Sequence, residues 1–229
     1  MSYITKEMTV AALNNMSTFH HHMNRSFLKW GMNFKSNLGR RNIVMSQTQE
    51  HFFAKELEKE YKGVESDGRT GKADIVISEI GKELECKLTS GNRGRSITYS
   101  FNTDWETLRN KGELDYLYVL CDEDFEKFCV LYFENLTVDD FYPPANGSRG
   151  KSRMKKQEAM KKCTVLVGSV SVQNHLQIKK INKEIKSYDL PNCKKSKNTK
   201  KYKSLFERLE YWQTSSERYS INLATCNEK

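Results

Sequence analysis

A chain of 229 residues with a net charge of +9 has room for one domain with a sizeable core and an appended subdomain. Charged residues make up 29% of it against 37% hydrophobic, and no apolar run nears the roughly 18 residues that span a bilayer, so a membrane partner is not expected. The opening MSYITKEMTVAALNN lacks a basic region followed by an apolar block, which predicts no secretory leader. Six scattered cysteines without a C-x-x-C spacing read as reduced core thiols rather than a zinc site, and a cytoplasmic setting in a bacterium or a virus-infected cell is expected.

Residues 5–34 read as one or two helices, with Met8, Ala11, Ala12, Met16 and Phe19, then Met23, Phe27 and Trp30, as apolar positions. His20, His21 and His22 point in different directions from a helix and read as surface or DNA-proximal residues. Lys35 to Arg41 read as a polar linker able to touch phosphate. Ser46 followed by Gln49 three residues on is a capping-box signature, which predicts that a helix starts there. Phe53, Ala54, Leu57 and Tyr61 form its apolar stripe, and Glu50 falls within that stripe, whereas Glu56, Glu58 and Glu60 read as solvated. GVES is a short strand, and SDGRTGK (66–72) is a tight turn carrying Arg69 and Lys72 toward the phosphate backbone.

Residues 74–88 read as a β-hairpin: ADIVIS is short and β-branched, KELECKL alternates polar with apolar, and Ile80-Gly81 marks the turn. Alternation puts Glu83, Glu85 and Lys87 on one face and Leu84, Cys86 and Leu88 on the other. A loop over 79–82 pairs Asp74 with Lys87 and Val76 with Glu85, which brings Asp74 to the face of Glu85 and Lys87. Charges are costly to desolvate unless paired or coordinated. Two adjacent carboxylates make a hard-oxygen site suited to Mg²⁺, which can polarise a phosphodiester and lower the pKa of a bound water. A lysine beside them can orient the attacking water or stabilise charge building on phosphorus. Glu50 can orient water from just outside that pair.

The loop 89–96 (TSGNRGRS) supplies Asn92, Arg93 and Arg95 as candidate DNA contacts directly after the strand. Ile97 to Phe101 read as a strand and Thr103 to Asn110 as a short helix with Trp105 and Leu108 inward. DYLYVLC (115–121) and FCVLYF (128–133) are buried strands joined by an acidic turn. Between residues 145 and 203 stand 17 Lys and Arg against 3 Asp and Glu, a balance of +14 that leaves −5 for the rest of the chain. Within it Arg149, Lys151, Arg153, Lys155 and Lys156 are the candidates for gripping DNA, some of them at base edges. TVLVGSVSV (164–172) reads as one strand, HLQIKKINKEIK as helical, and Tyr202 to Gln213 as an amphipathic helix through Leu205, Phe206, Leu209 and Trp212.

The order helix-Glu50, strand-Asp74, strand-Glu85-Cys86-Lys87 resembles the PD-(D/E)XK nuclease superfamily, and most closely the type II restriction endonucleases; the family's Pro before the aspartate is Ala73 here. The resemblance covers roughly residues 46–121. It implies an α/β fold with a restriction-endonuclease-like α-β-β-β-α-β core, a central mixed sheet flanked by helices. By it Asp74 and Glu85, with the Cys86 carbonyl, bind the divalent metal; Lys87 is the catalytic lysine and Glu50 the helix glutamate. An N-terminal helical region (1–45), a catalytic core (46–141) and a basic recognition and C-terminal helical region (142–229) are expected, forming one compact domain. The function implied is Mg²⁺-dependent, sequence-specific cleavage of double-stranded DNA to 5′-phosphate ends by a homodimer matching a palindromic site. A junction resolvase, a repair or transposition nuclease, and a non-catalytic basic DNA-binding protein are the alternatives.

Overall fold

Thr5 starts the first helix by accepting a hydrogen bond from the Met8 amide, and α1 (Lys6–Lys29) runs unbroken behind it in the computed structural model, which describes residues 2–66, 71–91, 101–145, 150–188, 200–214 and 219–226. Its inner stripe is Thr9, Ala12, Leu13, Met16 and His20. His20 is therefore not a surface residue: its ring is fully buried and stacks on Phe125, centroids 4.7 Å apart, while His21 and His22 stay exposed. The next helix, α2 (Leu38–Leu57), begins eight residues before the expected start. Asn37 is its cap, accepting from the Arg40 amide at 3.1 Å, and the Ser46 hydroxyl bonds back to the Asn42 carbonyl in mid-helix. Glu56 is buried and paired with Lys59 at 2.6 Å rather than solvated.

The central sheet is mixed. Strands β1 (Val64–Glu65), β2 (Ile75–Ile77) and β3 (Lys82–Ser90) form an antiparallel meander. A 3-10 turn over Ser78–Ile80 joins the last two, and Gly81 completes it at φ +61, a left-handed conformation that favours glycine. After β4 (Asn102–Asp104) and helix α3 (Trp105–Lys111), strand β5 (Glu113–Cys121) returns parallel to β3, and β6 (Lys127–Thr137) pairs antiparallel with β5. Strand β7 (Lys151–Arg153) pairs with β4, the short helix α4 (Lys156–Ala159) follows, and β8 (Cys163–Val167) joins β6. The predicted strand over 164–172 breaks at Gly168, where φ is +78 and a Cβ would stand 2.6 Å from the Asn222 carbonyl oxygen and 2.9 Å from the Cys129 Cβ. Then come β9 (Ser169–Val172), α5 (Gln173–Ser187), α6 (Lys200–Thr214), β10 (Tyr219–Asn222), which pairs with β9, and β11 (Ala224–Thr225) on β6. Phe101 precedes β4, and the remainder of the strand expected over 97–101 lies outside the described residues.

Period-2 alternation gives the sheet two cores. On one face Ile75, Ile77, Leu84, Cys86, Leu117, Val119 and Val130 pack with Leu13, Met16, Met45, Phe53, Ala54 and Leu57 of α1 and α2. On the other, the Tyr116, Tyr118 and Phe133 rings meet Phe101 and Phe141, with centroids 4.8–6.1 Å apart. The chain forms two compact units, residues 1–169 with 222–229, and residues 170–221. In the second unit α5 and α6 close on Ile181, Tyr188 and Leu205, and Phe206 is exposed instead of joining that stripe. Among the described residues no helix is long and apolar enough to cross a membrane.

Candidate functional site

Strand β2 leaves β3 early. Their ladder ends at Ile75 opposite Leu84, two residues out of the expected register, because the four-residue connection spans 78–81 rather than 79–82. An even shift preserves the faces, so the grouping survives the correction. Beyond Leu84, among the described residues, β3 is paired on its β5 side alone. The Cys86 amide is thus left without a strand partner and donates instead to Asp74 Oδ2 at 2.7 Å. That bond fixes the Asp74 carboxylate beside β3 at the point where the sheet opens.

Glu85 and Lys87 project from the same face of β3, where Tyr116 and Tyr118 of β5 stand beside them in parallel register. The Lys87 ammonium donates to Glu85 Oε1. Cys86, between them, turns inward to the core under α2. That helix lays Phe53 and Ala54 on the sheet and so carries Glu50 to the same opening, where the charges of Asp74, Lys87 and Glu85 all act on it. The neighbouring Gln49 is fully buried and anchors α2 by donating to the Leu117 carbonyl at 3.1 Å.

The electrostatics follow from burial. Desolvation, then the Asp74 charge, pushes the Glu50 carboxyl up to about 7. Burial also raises Asp74, against the attraction of Lys87 and the Cys86 amide, and raises Glu85, against Lys87. Burial disfavours the Lys87 ammonium, but Glu85 and Asp74 outweigh it and raise its pKa, which keeps it charged. Three carboxylates facing one ammonium leave a surplus of buried negative charge, and a cation would relieve it.

Among the described residues no group of three or more His, Cys, Asp or Glu side chains is arranged to hold a metal ion. A candidate donor set is the carboxylate pair Asp74 and Glu85 with the carbonyl of Cys86, whose amide meets Asp74. It suits Mg²⁺, which takes one or two carboxylates and completes its shell with water and substrate phosphate. Among the described residues Asp74 Oδ1 accepts no hydrogen bond, so an oxygen is available to a cation.

The basic candidates divide. Lys151 and Arg153 are exposed on β7, and Lys72 is exposed just before Asp74. Lys155 donates to the Asp139 carbonyl at 3.0 Å, and Lys156 lies half-buried over the Phe101 ring at 5.1 Å. Arg69, Asn92, Arg93, Arg95 and Arg149 lie outside the described residues. Two linker residues expected near phosphate are engaged within the fold. Arg41 is fully buried, donating to the Glu123 carbonyl at 2.7 Å and the Ser90 hydroxyl at 2.6 Å, and Lys35 pairs with Asp124.

Sequence reasoning missed Thr103, Asp104 and Tyr116. The Tyr116 phenol lies 2.6 Å from the Thr103 hydroxyl, and burial raises its pKa with help from the charges of Glu85, Asp104 and Asp74. Parallel pairing of β3 with β5 brings them to the site, and 85 and 116 carry no local signal of that pairing. No family model matches the chain, and no curated protein matches it.

Proposed function

We propose that this chain is a Mg²⁺-dependent endodeoxyribonuclease of the PD-(D/E)XK type, a type II restriction enzyme that cuts a short specific sequence in duplex DNA and leaves 5′-phosphate ends. One observation carries the reading: Glu50 of α2, Asp74 at the entry to β2, and Glu85 and Lys87 of β3 converge where β2 parts from β3. The central-sheet order α2, β1, β2, β3, then α3 and β5, with the ribbon strand β4 inserted before α3, is compatible with the order the resemblance implies. A fold built to bury apolar residues gathers three acids and a lysine at one opening only at some cost.

Asp74 and Glu85, with the Cys86 carbonyl, would hold the metal, and Mg²⁺ bound there would supply Lewis-acid polarisation of the scissile phosphate. Asp74 is preset for this by its bond from the Cys86 amide. Lys87 keeps its proton and presents an ammonium to the charge that builds on phosphorus. It donates a hydrogen bond to Glu85. Glu50 orients the attacking water through its carboxylate oxygens. Lys72, Lys151, Arg153, Lys155 and Lys156, with Arg69, Asn92, Arg93, Arg95 and Arg149, contact the DNA. The second unit adds Lys179, Lys180, Lys183 and Lys186 on α5, part of the positive field that attracts the polyanion. A homodimer matches a palindromic site by its two-fold symmetry.

The test is digestion of a plasmid of known sequence with the purified chain and Mg²⁺, followed by sequencing of the ends. Discrete fragments with a common end sequence, absent with EDTA, are expected. Wild-type cleavage by both Glu85→Ala and Lys87→Ala would falsify the site assignment.

A further inference from the structure

The β4–β7 ribbon carries two of the basic candidates, Lys151 and Arg153, and it is fastened to the catalytic face. Its register pairs Asn102 with Arg153, Thr103 with Ser152 and Asp104 with Lys151. Thr103 and Ser152, in the middle, are buried, whereas Asp104, Lys151 and Arg153 are exposed. Alternation puts the two outer pairs on the side away from the protein.

The inward side is held by hydrogen bonds to the two tyrosines that flank the catalytic residues. Tyr116, beside Glu85, meets the Thr103 hydroxyl at 2.6 Å, and Tyr118, beside Lys87, donates to the Asn102 carbonyl at 3.0 Å. Backbone bonds clamp both ends: the Trp105 amide donates to the Gly150 carbonyl, the Met154 amide to the Phe101 carbonyl and the Tyr142 amide to the Arg153 carbonyl, at 2.8–3.0 Å. A DNA linkage reaching Glu85 and Lys87 would therefore bring the neighbouring groove up to this ribbon.

The structure assigns the outward face of the β4–β7 ribbon, Asp104 with Lys151 and Arg153, as the element that reads base edges in the major groove of duplex DNA. The proposal rests on the nuclease reading for its substrate. Two strands fit a groove about 12 Å wide, the usual seat of a β-ribbon. The side chains decide between phosphate and bases. A phosphate grip would be cationic throughout, but Asp104 stands directly opposite Lys151. Its Oδ1 caps α3 by accepting from the Thr107 amide at 2.9 Å, and its carboxylate still sets an acceptor among the donors. Arginine and lysine pair with guanine O6 and N7, and a carboxylate accepts from cytosine N4, so the three outward residues form a mixed base-reading set.

The test is selection from a randomised duplex pool by the full chain without divalent metal, with the retained DNA sequenced, and in parallel Mg²⁺ digestion with end sequencing. The wild type should enrich a short motif. Arg153→Ala should lower the preference at one guanine about tenfold or more, and Lys151→Ala at another position, with the rest of the motif kept. Arg153→Lys, which keeps the charge but loses the bidentate fork, should show the same loss at its position. An unchanged motif in both alanine variants, with uniformly weaker binding and a smaller salt slope, would mean phosphate contact and overturn the proposal. So would a wild type that enriches nothing. A motif that shifts as expected, with no Mg²⁺-dependent cutting, would sustain the ribbon and sink the nuclease reading instead.

Discussion

The sheet carries two acidic centres, one buried and one partly buried, and they are solved in opposite ways. Asp115 on β5 is 2% exposed and fully provided for: it accepts from the Tyr132 hydroxyl at 2.9 Å and the Asn135 amide at 2.7 Å, with the Lys82 ammonium 3.4 Å away. One acid has a neutral donor, a backbone donor and a cation. At the mouth between β2 and β3, Glu50, Asp74 and Glu85 share Lys87, and burial holds all three above the ordinary carboxylate range. The first arrangement is complete without a ligand. The second is short of positive charge, and a scaffold that balances Asp115 so closely has the means to balance the others. Burial alone therefore does not distinguish structure from function; the completeness of the compensation does.

The largest effect tests the deficient centre. Asp74→Ala or Glu85→Ala should lower Mg²⁺-dependent cleavage by several orders of magnitude while the chain still folds and binds DNA, since each removes an anion from an overcharged site. Single-turnover cleavage beside a binding titration separates the two effects. If either variant loses its fold rather than its activity, the two centres are alike and the contrast fails.

Next in size comes the compensated centre. Asp115→Ala strands the Tyr132 hydroxyl and the Asn135 amide and takes the buried acid from Lys82, which keeps Asn135 Oδ1 and Glu134, and it should cost about 3–5 kcal/mol of stability. Denaturant unfolding followed at 25 °C measures it. The surviving folded fraction should keep its Mg²⁺ requirement. A loss under about 1 kcal/mol would show that these partners are satisfied by water once the acid is gone.

Magnesium itself gives the third comparison. A cation that binds the folded site stabilises it by mass action, by about 3 kcal/mol at a hundred times its Kd. A rise in Tm on adding Mg²⁺ is expected for the wild type and for Asp115→Asn, and should vanish in Glu85→Gln. The readout needs no cleavage. An equal rise in all three would place the cation elsewhere.

The contrast was half visible in the sequence. Glu85 and Lys87 declare a shared face because strand side chains alternate, and Asp74 joins them at even parity, so a register error of two residues did no harm. The difference arises because Gly81 marks a turn without fixing its position; with 3-10 geometry over Ser78–Ile80, Gly81 is the last residue of the connection, which lies one residue earlier. The start of α2 was misread because Ser46 and Gln49 imitate a cap, while Asn37, with no acidic residue after it, does the capping. Paired arginines read as surface, yet Arg41 is buried because Ser90 and the Glu123 carbonyl, far along the chain, wait for it. The β4–β7 ribbon pairs residues 47–51 positions apart, a pairing that no local period announces. His20 was legible in principle: it lies four residues after Met16 on the inner stripe of α1, and its residue type outweighed its position.

His20 also supplies the smallest and most selective test, because it is a third kind of buried polar group. Both ring nitrogens lack a hydrogen-bond partner among the described residues. Burial first, then the charges of Arg41, Lys35 and His21, push the imidazole down to about 4, and Asp124 opposes them. The unfolded ring titrates near 6.5, so the unfolded chain binds more protons between those values. The stability that His20 contributes is complete above about pH 6.5, drains away as pH falls toward 4 and is flat below. The raised carboxylates at the other site act in the opposite sense in much the same window, so the wild-type profile alone would blur the two. The difference between wild type and His20→Leu isolates the ring: going from pH 7 to pH 5 should cost the wild type about 1–2 kcal/mol more than the variant. A flat difference profile would mean that the ring reaches water or an acid when it takes a proton. His20 would then belong with the compensated centre rather than apart from both.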